Sequence, residues 1–328
     1  MRRRVSKAAA CMAWSQFLYS QALLVDQKLP ETAIASGPAF RLESTGAGFE
    51  GDHFQIGSKG EVWVIDRIRT WVAGDAREIG PRKLGDLYGQ ITLFGGIEAE
   101  APAPGQPPPI ECDCHNLTPL ISAPLQPGSD SPLADRLRVS LVGTNLWQID
   151  FSNLSWSVPG GVFIQFGIQG RGRLAVGGGG GRLWSNAAMQ MNTTHSIKLF
   201  DEKGKLLGPD SRYASDRSVG MNVQVWGHKL ATVSIRPLGT WIDVVLKSSA
   251  SLDAAQTDVS TLHFGPRGAS PVSSQLESAA GSADLVARFR ASETGIAPTA
   301  LNACLRGAQK DGVPFEGCDL MKRPSQIQ

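Results

Sequence analysis

The densest run of groups able to bind a metal or exchange a thiol is Cys112-Asp113-Cys114-His115. Tetrahedral Zn²⁺ sites usually join two spaced pairs of ligands, and adjacent ligands strain to converge on one ion. The run therefore reads first as a disulfide-forming pair, Cys112 with Cys114 or either with another cysteine, and no metal is assigned to it. Cys304 and Cys318 bracket a turn-rich loop containing Lys310-Asp311-Gly312, as two neighbouring strand ends would. A disulfide between them is expected in an oxidising compartment, the alternative being two reduced core thiols. Cys11 is the fifth cysteine.

No catalytic residue can be assigned. The glycines from Gly177 to Gly181 lie near Arg171 and Arg173, but they lack the Lys-Ser/Thr ending of a phosphate loop and no helix pattern follows. Neither a GxSxG elbow nor an HExxH pair occurs. Glu98 and Glu100 would share one face of a strand, yet their Ala- and Pro-rich flanks indicate a solvated loop. Outside the first segment the tryptophans are Trp63, Trp71, Trp147, Trp156, Trp184, Trp226 and Trp241. They serve either core packing or a face on which sugars stack.

These residues have to be positioned by short strands. The chain has 328 residues, enough for two domains with their own cores, and is rich in glycine (37) and proline (20). Its 32 basic and 30 acidic side chains nearly balance, so no nucleic-acid partner is implied. No apolar run is long enough for a transmembrane helix. Met1 to Leu24 has a basic start and an apolar stretch broken by Lys7, Ser15, Gln16, Ser20 and Gln21. It reads as a weak secretion signal, or else as an ordinary N-terminal helix or a misplaced start, and the leader is set at 1–30.

From there the chain alternates between strand-length runs and turn clusters. Residues 61–72 form a long strand whose two faces are both mixed: Val62, Val64, Asp66, Ile68 and Thr70 on one, Trp63, Ile65, Arg67, Arg69 and Trp71 on the other. Further strands are expected at 90–94, 138–142, 147–151, 162–168, 195–200, 241–246, 261–264 and 284–290. The prolines of 101–109 make a surface insertion. A polar connector at 213–218 divides two domains, and the strand at 222–226 closes the first or opens the second.

Two blocks resemble known families. The last third resembles a β-sandwich module of secreted environmental bacteria, associated with PEP-CTERM sorting signals. The match runs through Ser251-Leu252-Asp253-Ala254, Thr257-Asp258-Val259-Ser260-Thr261 and Phe264-Gly265-Pro266 to Ala303-Cys304-Leu305-Arg306-Gly307 and Phe315-Glu316-Gly317-Cys318-Asp319. Asp52-His53-Phe54 with Trp63, Ile65, Ile68 and Trp71 is similar to the opening of secreted bacterial jelly-roll domains, with His53 where an Asp is usual. The first resemblance implies a Ca²⁺-binding, Asp-rich run before the 284–290 strand. Here only Glu277 and Asp284 flank that run, too few for the roughly six to eight oxygens Ca²⁺ takes, so no metal and no cofactor are expected.

The expected architecture is all-β, with two jelly-roll-like β-sandwich domains in tandem: 31–220, carrying the insertion, and 221–322, before a short tail at 323–328. The expected function is a secreted or cell-surface, non-catalytic protein that binds an extracellular glycan or a surface protein, or has a structural role. The alternative is a polysaccharide-acting hydrolase whose carboxylates are unidentified. An exposed Trp row over a groove would favour the first, and two convergent carboxylates in a cleft the second.

Overall fold

A computed structural model describes residues 21–27, 39–41, 48–73, 83–97, 118–143, 146–172, 182–184, 187–188, 198–200, 206–209, 219–220, 222–279 and 282–321. The fold is all-β. Helical structure among these residues is limited to the short turns Leu84–Leu87, Ala254–Gln256 and Ala291–Thr294. Each expected run with described residues forms a strand, because β-branched and aromatic side chains suit a pleated surface that is buried on one face.

Among the described residues, one sheet has eleven strands. At its middle lies Val62–Ala73, paired antiparallel with Val223–Leu230 on one side and with Leu146–Phe151 and then Trp156–Pro159 on the other. Val223–Leu230 continues the sheet to Pro314–Leu320, Asn302–Gln309 and Thr257–Phe264. The step from Val223–Leu230 to Pro314–Leu320 is a parallel pairing of Lys229 and Leu230 with Phe315 and Glu316. A six-stranded sheet centred on Phe163–Gly172, Tyr88–Ile97 and Gly48–Gln55 covers the first half of the long sheet. A four-stranded sheet of Thr232–Leu238, Trp241–Lys247, Ser282–Arg290 and Ser273–Ala279 covers the second half.

Two sandwich cores result. The first gathers Ile65, Ile68 and Val72 with Ile91, Leu93 and Phe166, and its last buried member along the chain is Val225. The second begins at Ala231 and is centred on Phe264 and Phe289, whose rings lie 5.1 Å apart across the two sheets. The 222–226 segment therefore closes the first core while its strand runs on to the edge of the second. Ser251 ties the two together, its hydroxyl accepting a 2.8 Å hydrogen bond from the Val62 amide.

Two expectations from sequence need correction. The span 1–30 set as leader contains the strand Ala22–Gln27, which pairs with Val223–Leu230 and buries Val25 and Gln27. Its short alternation is hidden in the tail of the apolar stretch. The face assignment of 61–72 also fails. Trp226 opposes Arg67 while Gly227 opposes Ile65, so Asp66 is an extra residue in the pairing. This β-bulge exchanges the faces of the strand: Trp63 and Ile65 point to the core before it, Ile68 and Val72 after it. The leader before Gln21, the 101–109 insertion, the 213–218 connector and the 323–328 tail lie outside the described residues.

Candidate functional site

The bulge at Asp66 is matched by a break in the neighbouring strand. Between Phe151 and Trp156 the chain leaves the ladder, and Leu154 donates its amide to the Asp66 carbonyl at 3.0 Å. Asn153 and Ser155, on either side, have φ of 54° and 49°, and no other non-glycine residue among those described is left-handed. Asn tolerates this region better than Ser, and such strain persists only where the surroundings impose it. The Arg136 guanidinium holds the segment by donating to the carbonyls of Asn153 and Leu154.

Asp66, on the face turned away from the core, meets His228. The Asp66 carboxylate accepts a hydrogen bond from His228 Nδ1 at 2.7 Å, and both side chains are mostly buried. This contact opens onto a cleft of about 670 Å³ at the junction of the two sandwiches, a volume in the range of small-ligand sites. From the second sandwich come Arg306 and Glu316, directly opposed across their strands. The guanidinium donates through Nε and Nη2 to both carboxylate oxygens, at 2.8 and 3.1 Å, a bidentate pair. His263 also lines the cleft, with Nδ1 3.1 Å from the Gly268 carbonyl. A carbonyl only accepts, so His263 carries its proton on Nδ1, as His228 does toward the carboxylate. Both imidazoles in their neutral form keep a lone pair on Nε2.

The arrangement is suited to recognition. Among the described residues, Asp66 and Glu316 are the carboxylates lining the cleft, and each is engaged, one by His228 and the other at both oxygens by Arg306. Ser155, in the left-handed break before Trp156–Pro159, and His228, on Val223–Leu230, lie on opposite sides of the Val62–Ala73 strand. The hydroxyls of Ser260 and Thr261, also in the cleft, are bonded to Asp258.

At the start of the same strand, Glu61 accepts from Lys229 at 2.8 Å, from the Ser58 amide at 2.8 Å and from the Trp63 indole at 3.0 Å. Burial pushes this carboxyl up, but the bonds from Lys229, Ser58 and Trp63 outweigh it and hold Glu61 below the ordinary carboxylate value.

The tryptophans do not form an exposed row among the described residues. Trp63, Trp71 and Trp147 are buried, and Trp156, Trp226 and Trp241 are half-buried. Arg67 and Arg69 cover the Trp226 ring, at 4.4 and 5.2 Å from its centre, and both guanidinium groups bond Asp150. Cys304 and Cys318 are disulfide-bonded, directly opposite each other in their hairpin with Cα atoms 4.0 Å apart. Asp284 is buried, its carboxylate taken by Lys247 at 2.6 Å and the Ser248 amide at 3.0 Å. Hydrogen bonding by Lys247, then by Ser248, holds the Asp284 carboxyl below its ordinary value against the opposing effect of burial. Cys11, Glu98, Glu100, Cys112, Cys114, His115, Arg173 and the 177–181 glycines lie outside the described residues, as does the Trp184 side chain.

Asp66, His228, His263, Arg306 and Glu316 were not singled out from sequence. Asp66 and His228 are 162 residues apart, and no local spacing connects them. The one available signal was Asp66 itself, a carboxylate on the strand whose alternation made sense on neither face.

No protein-family profile and no curated protein sequence matches the chain. Among solved structures, the cysteine protease and lectin-like domains of Cwp84, a surface layer associated protein of Clostridium difficile, align with a TM-score of 0.32 at 9% identity. The alignment covers 58% of this chain and 35% of that chain. A likeness this distant carries no argument about function.

Proposed function

We propose that the chain is a non-catalytic β-sandwich protein of the cell surface or extracellular space that binds a glycan segment in the junction cleft. The observation that carries this reading is the cleft's composition. Asp66, Glu316, Arg306, His228 and His263 present fixed acceptors and donors from both sandwiches, which suits the paired hydroxyls of a sugar. The Cys304–Cys318 disulfide supports an oxidising compartment.

The test is titration calorimetry of the full chain against a panel of neutral and acidic oligosaccharides, with Arg306→Ala in parallel. Expected is saturable binding that weakens about tenfold or more in the variant, with no release of reducing ends. Release of reducing ends that Asp66→Asn or Glu316→Gln abolishes would replace this reading with a polysaccharide hydrolase. An absence of glycan binding, with capture of a surface protein blocked by Arg306→Ala, would assign the cleft to a protein partner.

A further inference from the structure

Strand pairing places Cys304 opposite Cys318, and two residues further along the same face Arg306 opposite Glu316. One donor atom each from Cys304, Cys318 and Glu316 lies within 4.8 Å of the others, and Cys318 Sγ is 3.6 Å from Glu316 Oε1. Cys318 is exposed, Cys304 and Glu316 half-buried. We propose that reduction of this disulfide converts the hairpin face into a binding site for a soft divalent cation such as Zn²⁺, with the two thiolates and the Glu316 carboxylate as ligands.

The chemistry balances with a dithiol reductant. One of its thiolates attacks Cys318 Sγ, the Cys304–Cys318 bond breaks, and Cys304 leaves as a thiolate. The second thiolate of the reductant closes its own disulfide and releases Cys318. Two electrons pass to the protein, and each cysteine then takes up a proton or keeps its charge for the metal. Zn–S bonds of about 2.3 Å in tetrahedral geometry require sulfurs ~3.7 Å apart, a separation that two unbridged side chains on facing positions reach by small rotations. Two sulfurs and one oxygen leave the fourth position to water.

The site is coupled to the cleft through Glu316. Its carboxylate oxygens are both spent on Arg306 in the oxidised protein. A cation between Glu316 and the two sulfurs draws that carboxylate from the guanidinium and so alters the charge pairing of Arg306 in the cleft. This coupling is independent of whether the cleft takes a glycan.

The test uses Co²⁺ as an optical probe on the full chain carrying Cys11→Ser, Cys112→Ser and Cys114→Ser, so that no other thiol reports. After reduction with a phosphine, Co²⁺ is expected to give sulfur-to-metal charge-transfer absorption and tetrahedral visible bands, displaced by Zn²⁺. The oxidised protein is expected to give neither. Glu316→Gln should retain both thiols and weaken Co²⁺ binding by about tenfold or more, the scale on which loss of a site's partners acts. Absence of the bands after reduction, or equal Co²⁺ affinity in Glu316→Gln, would overturn the proposal. So would loss of the β-sheet circular dichroism on reduction, since the ligands meet only while the hairpin is paired.

Discussion

Asp66, the extra residue of the bulge in Val62–Ala73, and His228 meet at 2.7 Å across the two central strands. His228 pairs with Val64, so the contact runs diagonally along the face turned away from the core. Asp66→Ala removes the acceptor from a mostly buried imidazole and is expected to cost about 1 to 2 kcal/mol in urea unfolding. The same variant is expected to weaken glycan binding in the cleft. Unchanged stability and unchanged binding would show the pair to be incidental.

Gly227 opposes Ile65 beside this bulge. A Cβ there would stand 2.3 Å from the Val64 carbonyl oxygen, a backbone atom that cannot rotate aside. Gly227→Ala is expected to lower the urea midpoint by the equivalent of about 1 to 3 kcal/mol, as overpacking does. An unaffected midpoint would mean that the two central strands can separate there freely.

The disulfide joins Cys304 and Cys318, 14 positions apart in sequence. Cys304→Ala with Cys318→Ala is expected to destabilise the folded chain by about 3 kcal/mol on the loop-entropy scale. Mass mapping of non-reduced peptides checks the bond itself: both thiols free in secreted material would remove it.

Acid should act on Asp284 and Glu61. Both carboxyls sit below their ordinary values in the folded chain, so the unfolded chain binds protons more readily. Their stabilisation is complete above the ordinary carboxylate range, about pH 4, and is lost as pH falls through the lowered folded values. Asp284→Asn is therefore expected to lower stability at neutral pH and to flatten the acid limb of the pH–stability curve. A variant curve parallel to the parent's throughout would contradict this.

Chelation is expected to leave the melting temperature unchanged. The Asp284 carboxylate is engaged by Lys247 and Ser248, and its cross-strand neighbour Glu277 is exposed. An EDTA-induced drop that Ca²⁺ reverses and Asp284→Ala abolishes would establish a calcium turn before that strand.

The strands most visible in the sequence were Trp241–Lys247, a β-branched apolar run, and Ser282–Arg290, whose alternation is uninterrupted from Asp284. Others were hidden for identifiable reasons. Thr232–Leu238 contains Pro237, which is tolerated because the strand ends the order of its four-stranded sheet. Asn302–Gln309 and Pro314–Leu320 are rich in Ala, Gly and Cys and carry little β-branched signal, yet they form a complete hairpin. The cleft was the least legible part. Its polar groups come from strands of both sandwiches, and the pairing that joins them, Lys229 and Leu230 beside Phe315 and Glu316, is long-range. A bulge shows itself only against its partner strand, so Asp66 could be seen as anomalous but not as a ligand of His228.

The position of Val223–Leu230 also sets a timetable for the nascent chain. Asp26 and Gln224, bonded at 2.8 Å across two of the first sandwich's strands, are 198 residues apart. The Val62–Ala73 strand, with Ile65, Ile68 and Val72 on its core side, gains that neighbour only after residue 230 has left the ribosome. At about 5 to 20 residues per second, the stretch between residues 73 and 230 takes roughly 8 to 30 seconds to make. During that interval the middle of the sheet has an open edge, and a holding chaperone that binds extended apolar segments has its longest opportunity there.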